Sequence, residues 1–169
     1  MQLTNGIITL RAFETADAEN ICLLANNKKI SGNLRDVFPS PYSIEDAYRH
    51  VKNSTKDPIQ NFCISYQGKA VGSIGLFPQQ DVYRYSAELG YWIGEPYWGK
   101  GLMVMAVNLI VPYGFEVLKM KRIYADVFSG NPNSMRVLEK CGFINEGTFK
   151  DSVFKDGKFL DSKRYAKTC

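Results

Sequence analysis

Gly94-Glu95-Pro96-Tyr97-Trp98-Gly99-Lys100-Gly101-Leu102 joins two segments of different hydrophobic period. Upstream, Tyr83 to Ile93 alternates as a strand does, with Ala87, Leu89, Tyr91 and Ile93 on one face and Glu88, Gly90 and Trp92 on the other. Downstream, from about Trp98 to about Val111, an apolar run reads as a helix that Pro112 should end or kink, because proline removes a backbone donor and crowds the preceding turn. A strand that turns into a helix through glycines flanking a lysine lets backbone approach a ligand closely. It also presents helix-end N–H groups that have no internal acceptor. Such an end suits a phosphate or pyrophosphate, although the same glycines can serve a purely geometric turn. Gly94 to Lys100 fits GxxxxGK, yet Gly101 stands where a Walker loop needs Ser or Thr for Mg²⁺, so an NTPase site is disfavoured.

Outward from this turn the chain alternates strand and helix signals. Ile7 to Phe13 reads as a strand, Glu14 to Asn26 as a helix, and Asn27 to Pro41 as an irregular surface segment. Ser43, with Asp46 three residues on, opens a second helix, where His50 is expected to be exposed. Asn61 to Tyr66 and Lys69 to Phe77 form a hairpin about Gln67-Gly68, and Tyr83 to Ile93 continues that meander. Lys121 to Phe128 is a strand and Asn131 to Lys140 a helix. Phe143 to Phe154 and Phe159 to Lys167 form a last hairpin around Asp156-Gly157. This order predicts one mixed α/β sheet, a single domain over residues 1–169.

Composition narrows the function classes. The 169 residues, 45% hydrophobic and 22% charged, suffice for one core, and a net charge of +4 without basic runs does not describe a nucleic-acid binder. One histidine and four scattered cysteines make no zinc pattern, so no metal is expected. The apolar run Leu102 to Val111 is too short to span a bilayer, and no signal peptide is seen, so a soluble, cytoplasmic protein with free thiols is expected.

The second informative stretch is Asn131-Pro132-Asn133-Ser134-Met135-Arg136-Val137-Leu138-Glu139-Lys140-Cys141-Gly142-Phe143. Asn131 is a good N-cap, Pro132 suits the first helical position, and Gly142 ends the helix. With WGKG about thirty residues earlier, an opening strand ending LRAF, the strand SAELGYWIG and the closing EGTFKDSVFKDGKFLDSKRYA, the chain resembles the GNAT acetyltransferases, and within them the RimJ/RimL type that acetylates ribosomal-protein N-termini.

The resemblance implies a mostly antiparallel mixed sheet, flanked by helices and splayed open between Glu88–Ile93 and Arg122–Phe128, with acetyl-coenzyme A in the opening. Its pyrophosphate would meet the amides of Trp98, Gly99, Lys100, Gly101, Leu102 and Met103, and its pantetheine would run beside Trp92 and Ile93. Asn131 and Ser134 match the family's Asn and Ser near the thiol, and Lys140 matches a position often close to the cofactor. Pro96 departs from the family's Gln or Arg, Leu138 replaces a tyrosine that protonates the thiolate in many relatives, and Val153 replaces a glutamate proposed as the RimL-type base. Glu88, on the strand lining the implied opening, is the candidate base, and Ser134 is the candidate proton donor. The implied activity is acetyl transfer to a primary amine, a protein N-terminal α-amine being favoured, in a monomer or homodimer. A polyamine or aminoglycoside acceptor, or a non-catalytic acyl-CoA-binding module, are the alternatives.

Overall fold

The computed structural model describes residues 1–54 and 58–169. Eight strands form one sheet in the order β1-β2-β3-β4-β5-β6-β8-β7. They are β1 (Gln2–Thr4), β2 (Ile8–Arg11), β3 (Asn61–Tyr66), β4 (Lys69–Pro78), β5 (Ser86–Ile93), β6 (Arg122–Phe128), β7 (Ile144–Lys155) and β8 (Lys158–Thr168). Among the described residues five α-helices accompany them: α1 (Ala18–Ala25), α2 (Lys28–Ser31), α3 (Ile44–Asn53), α4 (Leu102–Glu116) and α5 (Pro132–Lys140).

Neighbouring strands are antiparallel except β5 and β6, which run parallel and pair only at Ser86↔Arg122, Ala87↔Ile123 and Glu88↔Tyr124. Beyond Glu88 the two strands part, and Leu89 to Ile93 has no strand neighbour on that side among the described residues. Two apolar layers hold the sheet. Leu89 belongs to the layer that holds Val107 and Ile110 of α4 and Leu138 of α5, whereas Trp92 belongs to the layer that holds Ile21 of α1 and Val51 of α3. The period-two reading of β5 therefore describes a strand covered on both faces.

Several local expectations are corrected. The helix expected from Trp98 starts at Leu102, because Gly99 and Gly101 have φ of 74° and 73° and α4 can begin only after them. Pro112 does not end α4, which continues to Glu116. Tyr113 Oη donates to the Ile59 carbonyl at 2.8 Å, and Gly114 lies close against Leu76 and Ile123, so packing holds the turn that the missing N–H weakens. The strand expected from Tyr83 begins at Ser86, because Asp81–Tyr83 is a 3-10 turn. Within the segment read as irregular, α2 forms, capped where Asn27 Oδ1 accepts from Lys29 N at 2.9 Å. His50, expected to be exposed, is half-buried with its ring edge-on to Phe13, centroids 4.9 Å apart.

Candidate active site

The parting of β5 and β6 opens a cleft of about 700 Å³. Its floor is Tyr91, Trp92 and Ile93 of β5. One wall is the turn from Tyr97 to Val104, and the other is the segment from Gly130 to Ser134 with Arg136, Val137 and Lys140 of α5. The glycine turn is fixed from behind. Glu95 accepts from Asn27 Nδ2 at 2.7 Å and from Lys29 Nζ, which docks the turn on the start of α2. The Trp98 indole donates to the Ile93 carbonyl at 2.8 Å.

The Trp98 amide is engaged by Glu95 O at 3.1 Å, and the first bond closing α4 runs from Met105 N to Gly101 O, also 3.1 Å. The amides of residues 99–104 thus have no backbone acceptor among the described residues. A Cβ at Gly99 or Gly101 would meet nothing within 4 Å, so it is the left-handed backbone that demands glycine here. Free amides at the start of a 15-residue helix, opening on an elongated cleft, fit the pyrophosphate of a coenzyme A ester.

Of the residues singled out in the sequence, Trp92, Ile93, Trp98, Gly99, Gly101, Leu102, Met103, Asn131, Ser134 and Lys140 line this one cleft. Lys100 does not line it: its ammonium lies over the Tyr97 ring, 5.4 Å from the centroid. Asn131 caps α5 by accepting from Ser134 N at 3.2 Å, which fixes the serine over the cleft. The Ser134 hydroxyl shares a 2.7 Å hydrogen bond with Tyr91 Oη. Burial pushes the Tyr91 phenol well above its usual range, against the opposing pull of that bond, so it stays protonated.

On the opposite face of β5 lies a second pocket, of about 350 Å³, between α3 and the loop 34–39. Tyr91, Trp92 and Leu34 line both cavities. Asn61, Ser73 and His50 of its lining belong to a hydrogen-bonded chain that also includes Ser54. Ser73 Oγ donates to Asn61 Oδ1 at 2.8 Å, Asn61 Nδ2 donates to Ser54 Oγ at 2.9 Å, and Ser54 Oγ donates to the His50 carbonyl at 2.8 Å. The side-chain amide of Asn61 also lies 3.4 Å from His50 Nε2. Burial lowers the His50 pKa and favours the neutral imidazole.

Glu88 lines neither cavity. It sits at the closed end of the splay, 3.6 Å from the guanidinium of Arg35, which does line the second pocket. Val153 lies on β7 opposite Leu160, away from both cavities. Tyr91, Asn61, Ser73 and Arg49 are the site residues that sequence reasoning passed over. Polar Asn61 and Ser73 inside the apolar strands NFCISY and AVGSIGL were the available signal.

A splayed mixed sheet with an amide-rich helix start on one side and a pocket across the same strand is the frame of an enzyme that brings a nucleotide-bearing donor to a second substrate. Residues 8–144 match the family described as Acetyltransferase (GNAT) domain, and the chain belongs to that family. Curated relatives agree. The spermidine N(1)-acetyltransferase of Vibrio cholerae is 30% identical, with 95% of this chain and 92% of that protein covered. The putative ribosomal N-acetyltransferase YdaF of Bacillus subtilis is 31% identical, with 96% and 91% covered. Among solved structures, Vibrio cholerae spermidine N-acetyltransferase in complex with CoA and spermine superposes with a TM-score of 0.80 at 29% identity, covering 97% of this chain and 96% of that one. The chain is an N-acetyltransferase that takes its acetyl group from acetyl-CoA.

Proposed function

We propose that this enzyme is of the RimJ/RimL type and acetylates the α-amine at the N-terminus of a protein, by direct attack while both substrates are bound. The observation that carries the choice of acceptor is electrostatic. The described carboxylates in and around the acceptor pocket already have cationic partners: Asp46 with Arg49 at 3.0 Å, Glu88 with Arg35 at 3.6 Å, and Asp36 with Lys155 at 2.6 Å. Asp46 is further engaged by the Ser43 amide and hydroxyl, which hold its pKa below the usual carboxylate range. A polyamine, cationic along its length, finds no free carboxylate there among the described residues. An N-terminal amine brings one titratable nitrogen, which ordinarily titrates at roughly 7.7–8.0, so a useful fraction is already neutral near pH 7. The similarity to a spermidine acetyltransferase supports a polyamine as the second reading.

In this scheme the amides after Trp98 hold the pyrophosphate, Trp92 and Ile93 flank the pantetheine, and Asn131 orients Ser134 toward the sulfur. Lys140 supplies a positive charge at the cleft rim. Glu88 takes the ammonium proton of the arriving amine, through water, beside Arg35. The work site is the cytoplasm, which suits four unpaired cysteines, and no described helix is long and apolar enough to cross a membrane.

The test is release of CoA from acetyl-CoA, read with a thiol dye, against Ala- and Ser-starting peptides, an N-terminally blocked lysine peptide, spermidine and an aminoglycoside. Turnover with the free α-amine peptides is expected. Turnover with spermidine and not with peptides would overturn the choice of acceptor.

A further inference from the structure

Transfer of acetyl from sulfur to nitrogen moves one proton the same way that electrons leave. The C–N bond forms, the C–S bond breaks, the attacking nitrogen sheds a proton, and the departing sulfur must gain one. On the proposed placement the sulfur lies in the donor cleft, on the face of β5 that carries Leu89 and Tyr91. Tyr91 lines that cleft, and its phenol oxygen lies 2.7 Å from Ser134 Oγ. The alternative partner of that phenol, the Ser134 carbonyl, is at 3.4 Å, so the hydroxyl–hydroxyl bond is the stronger one. The serine is fixed in turn by Asn131.

We infer that Tyr91 and Ser134 form a two-hydroxyl relay that delivers a proton to the leaving sulfur. The Ser134 hydroxyl gives its hydrogen to sulfur and draws one from Tyr91 across the 2.7 Å bond, and Tyr91 is resupplied from water, which also takes the proton shed by the nitrogen. No hydroxyl becomes a lasting anion, and no outside acid or base is consumed in this step. Tyr91 thus acts through Ser134 as a positioning and relay residue. With Ser134 it fills the proton-donor role left open by Leu138. The relay rests on the proposed placement of the two substrates and holds for whichever primary amine is the acceptor.

The experiment compares the unaltered enzyme with Tyr91→Phe, Ser134→Ala and the double variant, on the best amine of the panel above. The readouts are kcat, the two KM values, acetyl-CoA affinity by calorimetry and the solvent deuterium isotope effect on kcat. Relay predicts that each single variant lowers kcat by roughly 10²-fold, the lower end of what proton transfer contributes. KM values and acetyl-CoA affinity should stay within about twofold, and the double variant should be no slower than the worse single one, as for residues acting as a unit. The isotope effect, fitted by more than one proton in the unaltered enzyme, should fall to a single proton in Tyr91→Phe. An unchanged kcat in Tyr91→Phe, or losses that multiply in the double variant, overturns the relay while the proposed function stands. If the unaltered enzyme turns over no amine, the proposed function falls, and the relay falls with it.

Discussion

Gly72 on β4 sits opposite Ile93 in the register that joins β4 to β5. A Cβ built there lies 2.3 Å from the Trp92 carbonyl oxygen and 2.9 Å from the Ile93 Cα, both backbone atoms that no rotamer change can move aside. Ordinary contact begins at 3.4 Å, so Gly72→Ala forces β4 and β5 apart by about 1 Å at the residues flooring both cavities. Overpacking against a fixed neighbour costs about 1–3 kcal/mol, which for a chain of this length lowers Tm by roughly 4–8 °C at the middle of that range. A displacement of about 1 Å at reacting groups costs on the order of 10²-fold in rate. Calorimetry and the CoA-release assay on the same preparation should therefore show an enzyme that is less stable yet still folded at the assay temperature, with kcat lower by about 10²-fold. Gly130→Ala, where a Cβ meets nothing within 4 Å, serves as the melting control and should leave Tm within about 1 °C. A Gly72→Ala enzyme with the Tm and kcat of the unaltered one would refute the close approach and the claim that β5 sets the geometry of both cavities.

Two further outcomes follow from titrating groups. Burial holds the folded pKa of His50 below 6.5, so as pH falls the unfolded chain takes up that proton first. Stability should therefore decline from about pH 6.5 downward and level off below the folded pKa. His50→Gln should flatten this slope in melts between pH 7.5 and 5, and an unchanged slope would show that His50 is not the titrating group. Asp17, below β2, accepts a two-pronged contact from Arg11 at 2.7 and 2.8 Å. Although burial opposes its ionisation, that contact and the Glu14 amide lower its pKa. Asp17→Asn leaves the part-buried Arg11 with only Glu14, 3.9 Å away, as counter-charge and should cost about 1–3 kcal/mol in denaturant unfolding at pH 7. That difference should shrink as pH drops through the folded pKa of Asp17, because its contribution is present above the unfolded value of 3.8 and lost below the folded one. A constant gap down to acid would contradict the assignment.

Much of the frame was legible because long segments carry strong periods: α3 announces itself by Ser43 and Asp46, α5 by Asn131, Pro132 and Gly142, and β3–β4 by the Gln67-Gly68 turn. What stayed hidden depends on distant contacts. Nothing in QLT marks β1, whose three residues form a strand only by pairing with Thr9 to Arg11. Pro112 reads as a stop, and the packing of Tyr113 and Gly114 on remote residues overrides it. The donor cleft was readable because its walls are two contiguous motifs at helix starts. The polar chain beside the second pocket was not, because it draws one residue each from α3, β3 and β4 together with Ser54, and spacing along the chain does not encode their meeting. Tyr91 reads as one more apolar position in an alternating strand, since only the fold brings Ser134 within 2.7 Å of it.

The most direct test of the proposed activity uses one peptide that bears both a free N-terminal Ser and an internal Lys, incubated with the enzyme and acetyl-CoA and sequenced by fragmentation mass spectrometry. Acetyl on the α-nitrogen alone is the expected product. Acetyl on the lysine side chain, or an unmodified peptide beside acetylated spermidine in the same vessel, would contradict it.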